Sequence, residues 1–195
     1  IAPWSVSDIG FGRFLCDIFD YWIRNDVGRY FVTNFDATLA NWVGEMPGTC
    51  TFAQTCGGNA VIEHNGDLYP CDHFVYKDYL LGNIADKSIA EMMRSDKQTA
   101  FGIDKRNKLP AKCLRCEWLF ACNGECPKHR FNTYESRQAR GGARIETGLN
   151  ALCTGYQMFF SHVAPYMDYM KDLLSRKMSP AYVIPWARTH AMQQR

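Results

Sequence analysis

The chain has 195 residues, of which 47% are hydrophobic, so it can bury a core in one domain or in two small ones. Its 22 basic and 20 acidic residues leave a net charge of +2, which gives no electrostatic basis for binding nucleic acid or an anionic membrane surface. The sequence shows neither an apolar run of membrane-spanning length nor the basic and apolar regions of a signal peptide. We therefore expect a cytoplasmic protein that has neither nucleic acid nor membrane as a partner.

An amphipathic helix is the first predicted element, from Ser7 to about Asp26. Ser5, with Asp8 three residues later, predicts a capping box at its start. The β-prone run Tyr30–Phe35 then predicts a short buried strand, and a helix followed by a strand is half of an α/β repeat. The apolar residues of the helix recur at the spacing of one helical face: Phe11, Phe14, Leu15, Ile18, Phe19 and Trp22.

A β-hairpin is predicted within the segment CGGNAVIEHNGDLYPC. Asn65-Gly66 lies between the apolar pairs Val61-Ile62 and Leu68-Tyr69, which predicts a two-residue type I′ turn with positive φ at both turn positions. Cys56 precedes the first strand and Cys71 follows the second. The hairpin should therefore bring these two cysteines to the same end.

Helices are predicted for much of the remaining chain. A capping box predicts a helix from Ser88 to about Phe101. Apolar residues at helical spacing predict further helix over 150–163 and 166–174, with Pro165 ending or kinking it. Beyond these residues the chain has two prolines and little periodicity, so no element is predicted there.

The nine cysteines need a common explanation. Disulfide frameworks belong to small secreted domains, whereas this chain has ample core material, an odd cysteine count and no export signal, so metal binding is favoured. Cys16 has no cysteine neighbour and is interpreted as a helix residue at the edge of the packing. The other eight suffice for two four-thiolate sites, and ligand chemistry alone leaves both zinc and iron–sulfur open.

The spacing C-x5-C-x14-C, then C-x2-C-x5-C-x3-C and one distant cysteine, resembles the twin-cluster SPASM domain of radical S-adenosylmethionine enzymes. More closely, the chain resembles anaerobic sulfatase-maturating enzymes. The segments that carry this resemblance are Phe35–Gly44, Cys50–Tyr76, Leu81–Ile84 and Cys113–Phe131. The resemblance implies an α+β fold: an irregular cluster-binding SPASM domain with a β-hairpin and flanking helices, preceded by the last helix–strand remnant of a partial TIM-like barrel.

The same resemblance implies three domains and two auxiliary 4Fe–4S clusters. Residues 1–48 would be the barrel remnant, 49–170 the twin-cluster SPASM domain and 171–195 a C-terminal tail. The first cluster would be held by Cys50, Cys56, Cys71 and Cys126, and the second by Cys113, Cys116, Cys122 and Cys153.

The interleaved ligand sets require the chain to reverse direction near Cys126. Cys126 follows Gly124 and precedes Pro127, which suits a turn back to a separate cluster. The long interval before Cys153 departs from the family pattern and contains the basic segment 137–144, RQARGGAR. We interpret this segment as a loop insertion, with a docking patch for an acidic partner as the alternative.

Asp72 is the candidate catalytic residue, because the resembling enzymes have their proposed general base directly after this cysteine. A partly desolvated carboxylate with a raised pKa would take the proton of the target Cys thiol or Ser hydroxyl. The alternative is that Asp72 caps the turn after the hairpin. His64 and His73 have weaker claims, since a solitary His is more often structural.

The implied reaction is the radical oxidation of a Cys or Ser in a sulfatase, the partner polypeptide, to formylglycine. The chain opens with Ile1 rather than Met and lacks the C-x3-C-x2-C motif that this chemistry requires. We therefore expect a piece of a longer protein that binds clusters but is inactive alone. S-adenosylmethionine and a third 4Fe–4S cluster would bind outside this chain. The alternatives are a SPASM enzyme that modifies another peptide and a non-catalytic zinc-binding or scaffold module.

Overall fold

The computed structural model describes residues 2–137 and 143–190, which form two compact units. The helical unit comprises the described residues of Ile1–Thr49, Glu117–Cys122 and Ala151–Arg195. The cysteine-rich unit comprises Cys50–Cys116 and the described residues of Asn123–Asn150. The domain limits expected from the sequence stay a prediction.

Eight α-helices and five strands are present in the described residues. The helices are α1 Asp8–Asn25, α2 Thr33–Val43, α3 Ile89–Met93, α4 Asp96–Asn107, α5 Ala111–Leu114, α6 Leu119–Cys122, α7 Cys153–Ser175 and α8 Val183–His190. The strands are β1 Val61–Ile62, β2 Asp67–Tyr69, β3 Gly82–Asn83, β4 Asn132–Arg137 and β5 Ala143–Leu149. Single 3-10 turns cover Asp72–Phe74, Lys77–Tyr79, Pro127–His129 and Pro180–Tyr182.

The core of the helical unit is aromatic. Phe19 of α1, Phe35 of α2 and Phe159 of α7 are fully buried, with ring centroids 5.2 Å apart for the first two and 5.7 Å for the last two. Helices α1 and α7 approach closely, because a Cβ atom built on Gly155 would lie 2.2 Å from the carbonyl oxygen of Asp8. Apolar burial of this extent stabilises the unit without any ligand.

Helix α1 was predicted correctly in extent, but its cap and its buried face differ. Ser7, rather than Ser5, is the N-cap, and its Oγ accepts a hydrogen bond from Gly10 N at 3.0 Å. Phe14 is exposed, whereas Cys16 is buried, because the inward face is rotated toward Ile23. Burial, with the nearby Asp20 and Asp17 carboxylates, raises the pKa of Cys16 to about 11.

The strand predicted over Tyr30–Phe35 is wrong, and so the helix–strand remnant loses its strand. The chain enters α2 at Thr33, whose buried residues Phe35, Thr38 and Trp42 follow a helical period. Tyr30 and its neighbour Phe31 are exposed. The six-residue run was too short to show that its one buried aromatic belongs to a helix.

The C-terminal helices extend further than predicted. Helix α7 is continuous from Cys153 to Ser175 and contains Pro165, and α8 lies in a stretch for which no element was predicted. Trp186 of α8 stacks on Tyr169 of α7 with ring centroids 4.6 Å apart. None of the helices in the described residues is both long and apolar enough to span a membrane.

The predicted hairpin is present in the cysteine-rich unit, with Val61 opposite Tyr69 and Ile62 opposite Leu68. Its turn is not type I′. Gly66 has φ 89°, whereas Asn65 is not among the described residues with positive φ. Gly66 N donates to Glu63 O at 2.9 Å, and Glu63 N to Asp67 O at 2.9 Å, so the loop has three residues. Strand β3 adds a third, unpredicted strand beside β2.

Two further predictions in this unit need correction. The helix expected from Ser88 to Phe101 is divided into α3 and α4, because the Ser95 side chain caps a new helix by accepting from Gln98 N at 3.2 Å. The ends of the predicted 137–144 loop lie in strands β4 and β5, which pair as an antiparallel hairpin. Residues 138–142 of that loop lie outside the described residues.

Candidate metal centre

The four thiols predicted as the first ligand set lie in one neighbourhood of the cysteine-rich unit. The Cys126 thiol interacts electrostatically with those of Cys50, Cys56 and Cys71, and the Cys56 thiol also interacts with that of Cys50. Cys50 is exposed and the other three are half-buried. The structure thus brings this predicted set together, while its metal ligation stays a prediction.

A left-handed turn delivers Cys126 to this neighbourhood. Asn123, Gly124 and Glu125 have φ values of 48°, 70° and 53°. Two of these are not glycine, and such residues rarely adopt positive φ without strong local support. Part of that support comes from Asn123, whose Nδ2 donates to Phe52 O at 2.8 Å.

Arg130 supplies further support by donating to all three carbonyl oxygens of the turn. Its Nε lies 2.8 Å from Gly124 O, and its Nη2 lies 3.1 Å from Asn123 O and 3.0 Å from Glu125 O. Its Nη1 donates to Lys105 O at 2.6 Å. The guanidinium therefore ties the turn before Cys126 to helix α4.

Helix α4 also fixes the loop that carries Cys50 and Cys56. Cys56 N donates to Gly102 O at 3.2 Å, and a Cβ atom built on Gly102 would lie 2.6 Å from Cys56 O. Lys105 is 1% exposed, and its Nζ donates to Cys50 O at 2.5 Å and to Thr51 O at 2.8 Å. The helix therefore holds both ends of the loop.

The surroundings of the thiols favour their protonated form in the absence of metal. Burial is the main cause that raises the pKa values of Cys56 and Cys126. Burial, with the hydrogen bond to Asp72, raises the pKa of Cys71 to about 11. Burial also lowers the pKa of Lys105, against the opposing effect of the nearby thiols. Metal binding would therefore release protons from these cysteines.

Asp72 is exposed, contrary to the expectation of partial desolvation. Its Oδ1 accepts from His73 N at 3.1 Å and from Cys71 Sγ at 3.2 Å. The hydrogen bond from the Cys71 thiol lowers the pKa of Asp72, so the expected raised pKa is wrong for this structure. Because Asp72 begins the 3-10 turn, these contacts are compatible with the turn-capping alternative.

Two histidines that had weaker claims lie in different places. His73 Nδ1 lies 3.6 Å from Cys126 Sγ. Potential ligand atoms of Cys71, Asp72 and His73 all lie within 4.8 Å of one another, a grouping that could hold a metal ion. His64 is an exposed residue of the hairpin turn.

The second predicted set is distributed over both units. Cys113 lies in α5 and Cys116 follows it, with Cys116 N donating to Cys113 O at 3.0 Å. Both belong to the cysteine-rich unit. Cys122 ends α6 and Cys153 begins α7, both in the helical unit. This ligand set stays a prediction.

Sequence reasoning missed Lys105 and Arg130 as parts of the site. Lys105 lies in no motif. Arg130 lies within the segment Cys113–Phe131, but arginine is not a cluster ligand, and the balanced overall charge gives no reason to select either residue among 22 basic ones. Only the three-dimensional arrangement reveals that these two cations lie beside the cysteines.

Comparison with known proteins agrees with the metal-centre interpretation. The SPASM family, an iron-sulfur cluster-binding domain, matches residues 50–117. A serine-type anaerobic sulfatase-maturating enzyme of Bacteroides thetaiotaomicron is 53% identical over 94% of this chain and 42% of its own length. The serine-type enzyme of Klebsiella pneumoniae is 31% identical over 95% of this chain and 44% of its own length. A cysteine-type enzyme of Clostridium novyi is 27% identical over 89% of this chain and 44% of its own length.

A solved structure, anSMEcpe with bound AdoMet, superposes with a TM-score of 0.72 at 25% sequence identity. The similarity covers 94% of this chain and 46% of that one. The chain thus spans less than half the length of each of these proteins.

Together, the cysteine arrangement and the family match define the chain as one that contains a SPASM domain, an iron–sulfur cluster-binding class. The similarity over nearly the whole chain narrows this class. The chain belongs to the family of anaerobic sulfatase-maturating enzymes.

Proposed function

We propose that the chain is the cluster-binding part of a radical S-adenosylmethionine enzyme that oxidises a residue of a sulfatase to formylglycine. The single observation that carries this proposal is the grouping of Cys50, Cys56, Cys71 and Cys126, drawn from three separate stretches of chain, in one neighbourhood. The whole enzyme's activity is inferred through the sulfatase-maturating relatives.

The donor set fits a 4Fe–4S cluster. Four thiolates are the usual protein ligands of such a cluster, and the buried Lys105 and the half-buried Arg130 nearby would offset their negative charge. Zinc also accepts four thiolates, so metal identity needs direct measurement. The second cluster would be held by Cys113, Cys116, Cys122 and Cys153.

In this proposal the chain's own residues hold the auxiliary clusters and remove a proton. S-adenosylmethionine, bound with a third cluster outside this chain, would supply the radical that takes a hydrogen atom from the target Cβ. Once the proton has also been removed, an auxiliary cluster held by this chain would accept the remaining electron. Asp72 is exposed beside Cys71 and can therefore receive the proton of the target side chain. The hydrogen bond that lowers the pKa of Asp72 comes from the protonated Cys71 thiol, so this hydrogen bond is absent once Cys71 is a cluster ligand.

We further propose that the target residue is serine. The serine-type relatives from Bacteroides thetaiotaomicron and Klebsiella pneumoniae are 53% and 31% identical to this chain, whereas the cysteine-type relative from Clostridium novyi is 27% identical. A serine hydroxyl is a much weaker acid than a cysteine thiol, so the reaction would depend strongly on the base.

The test uses the full-length protein, reconstituted anaerobically with iron and sulfide. Iron and acid-labile sulfide analysis should give three four-iron clusters, two of them lost when the eight cysteines proposed here are replaced by alanine. The reconstituted enzyme should then convert a sulfatase-derived peptide with serine at the target position to formylglycine, detected by mass spectrometry.

The alternatives predict different results. Stoichiometric zinc without sulfide in the wild-type protein would contradict cluster binding. Full clusters with no reaction on either a serine or a cysteine peptide would favour a SPASM enzyme with another substrate. A faster reaction on the cysteine peptide would contradict only the choice of serine.

A further inference from the structure

Lys105 is a buried cation placed beside the first set of thiols. It lies on α4, is 1% exposed and donates to the carbonyl oxygens of Cys50 and Thr51. Its ammonium interacts electrostatically with the thiols of Cys50, Cys56 and Cys126. A buried charge is costly unless opposite charge lies nearby, so its position implies negative charge at this site.

Arg130 adds a second positive charge to the same neighbourhood. Its guanidinium interacts with the Cys56 thiol and also bonds to the carbonyl oxygen of Lys105 and to the turn before Cys126. The two cations repel each other, because both are positively charged and lie near the same thiols. Placing two cations together is reasonable only where an anionic group compensates them.

A four-thiolate cluster is such a group. Each thiolate contributes one negative charge, and one-electron reduction adds another without any change in the ligands. A nearby cation therefore stabilises the reduced cluster more than the oxidised one, and it raises the reduction potential. The effect is large where water does not screen the charge, as at a residue that is 1% exposed.

We propose that Lys105 is a charge-compensating residue that sets the reduction potential of the cluster held by Cys50, Cys56, Cys71 and Cys126. Arg130 has a mainly positional role, because its donors are committed to the main chain of the turn and of α4. This inference rests on the proposed function, since it requires a cluster at these cysteines.

The test is an anaerobic redox titration with dithionite, monitored by electron paramagnetic resonance, on the full-length reconstituted protein. The signal lost in Cys126→Ala identifies the cluster concerned. Lys105→Gln removes the charge but keeps a hydrogen-bond donor, and Lys105→Arg keeps the charge. Lys108→Met is the matched control, because it removes an exposed lysine from the end of the same helix.

Lys105→Gln should decrease the reduced-to-oxidised ratio of this cluster at least tenfold at a fixed potential, a shift of about 59 mV for one electron. Lys105→Arg and Lys108→Met should stay near the wild-type potential. Normal iron content with an unchanged potential in Lys105→Gln would overturn the inference while leaving the proposed function intact.

Failure of cluster assembly is also informative. Loss of iron in Lys105→Gln with retention in Lys105→Arg supports a requirement for charge. Loss in both variants would overturn the inference, because the lysine would then be needed for its shape and hydrogen bonds. Absence of iron from the wild-type protein would instead contradict the proposed function.

Discussion

The two units differ in the kinds of residue that they bury. Among the described residues, twenty of the buried apolar residues lie in the helical unit and four in the cysteine-rich unit. Buried polar or charged residues show the opposite distribution, with one in the helical unit and five in the cysteine-rich unit. The five are Gln98, Lys105, Asn123, Glu125 and Asn150.

We therefore expect the fold of the cysteine-rich unit to depend on bound metal more than the fold of the helical unit does, although the proposed second set also takes Cys122 and Cys153 from the helical unit. Strands of two or three residues, such as β1, β2 and β3, bury little surface. A unit with so small an apolar core commonly relies on a metal or on disulfides. The helical unit instead has the aromatic core around Phe19 and long helices, which stabilise it directly.

The largest expected effect is loss of the first cluster through Cys126→Ala. The variant should lose the same spectroscopic signal as Cys71→Ala and retain the signal assigned to the second set, because the ligand sets are interleaved. The remaining thiolates would be an incomplete site, so hydrogen exchange should increase in the cysteine-rich unit, especially around the left-handed turn at Asn123.

Cys16→Ala is the matched control for that prediction, because Cys16 is buried in the helical unit. It should keep full iron content and normal exchange in the cysteine-rich unit. If Cys126→Ala instead removed the signal assigned to Cys113, the four closely spaced cysteines would form one site and the interleaved assignment would be wrong.

The second effect concerns catalysis and should leave both units folded. Asp72→Asn is nearly isosteric but cannot accept a proton at neutral pH, so formylglycine formation in the full-length enzyme should fall by roughly two to four orders of magnitude. Iron content and S-adenosylmethionine cleavage should persist. The control is Asp78→Asn at another exposed carboxylate of this unit. A near-wild-type yield from Asp72→Asn would assign Asp72 to turn capping.

The third effect tests the aromatic core of the helical unit. Phe159→Ala should lower the free energy of unfolding of the helical unit by about 3–5 kcal/mol, because it leaves a cavity beside the buried rings of Phe19 and Phe35. Urea denaturation followed by tryptophan fluorescence measures this loss. Phe14→Ala removes an exposed ring from the same unit and should have little effect. Equal losses in the two variants would contradict the aromatic-core interpretation.

The same contrast explains which elements the sequence predicts well. Helices α1 and α7 are long and apolar on one side, so their periodicity is visible over several turns. The run Tyr30–Phe35 is short and rich in β-prone residues, so its sequence favours a strand. Only the structure shows that Phe35 belongs to α2, where it is buried. Helix α8 was not predicted because its stretch has two prolines and little periodicity, although Pro185 lies in the first turn, where proline is tolerated.

Some features of the candidate site could likewise be predicted from the sequence, and others could not. The Asn65-Gly66 signal located the hairpin correctly, but the turn type depends on contacts such as the pairing of Asn83 with Asp67. The ligand sets came from a family resemblance and not from spacing alone, since zinc remained possible. Lys105 could not be predicted, because the burial of a charge depends on a tertiary environment that no local pattern encodes.

The smallest effect compares one close glycine contact in each unit. In the helical unit, Gly155→Ala would place a methyl group against Asp8 O and separate α1 from α7. In the cysteine-rich unit, Gly102→Ala would place one against Cys56 O and move α4 from the cysteine loop. Both contacts involve main-chain atoms, which cannot rotate away as a side chain does, so each substitution should cost about 1–3 kcal/mol.

Both glycine variants should lower the free energy of unfolding, but they should differ in whether they also lower occupancy of the first cluster. Gly155→Ala should reduce urea stability without removing the first cluster, whereas Gly102→Ala should also reduce occupancy of that cluster, because its methyl group displaces the chain that carries Cys56. Gly58→Ala is the control, since a Cβ atom there meets nothing within 4 Å. Equal loss of the first cluster from Gly155→Ala and Gly102→Ala would show that this cluster depends on the helical unit as strongly as on α4, and that the contrast between the units does not extend to its binding.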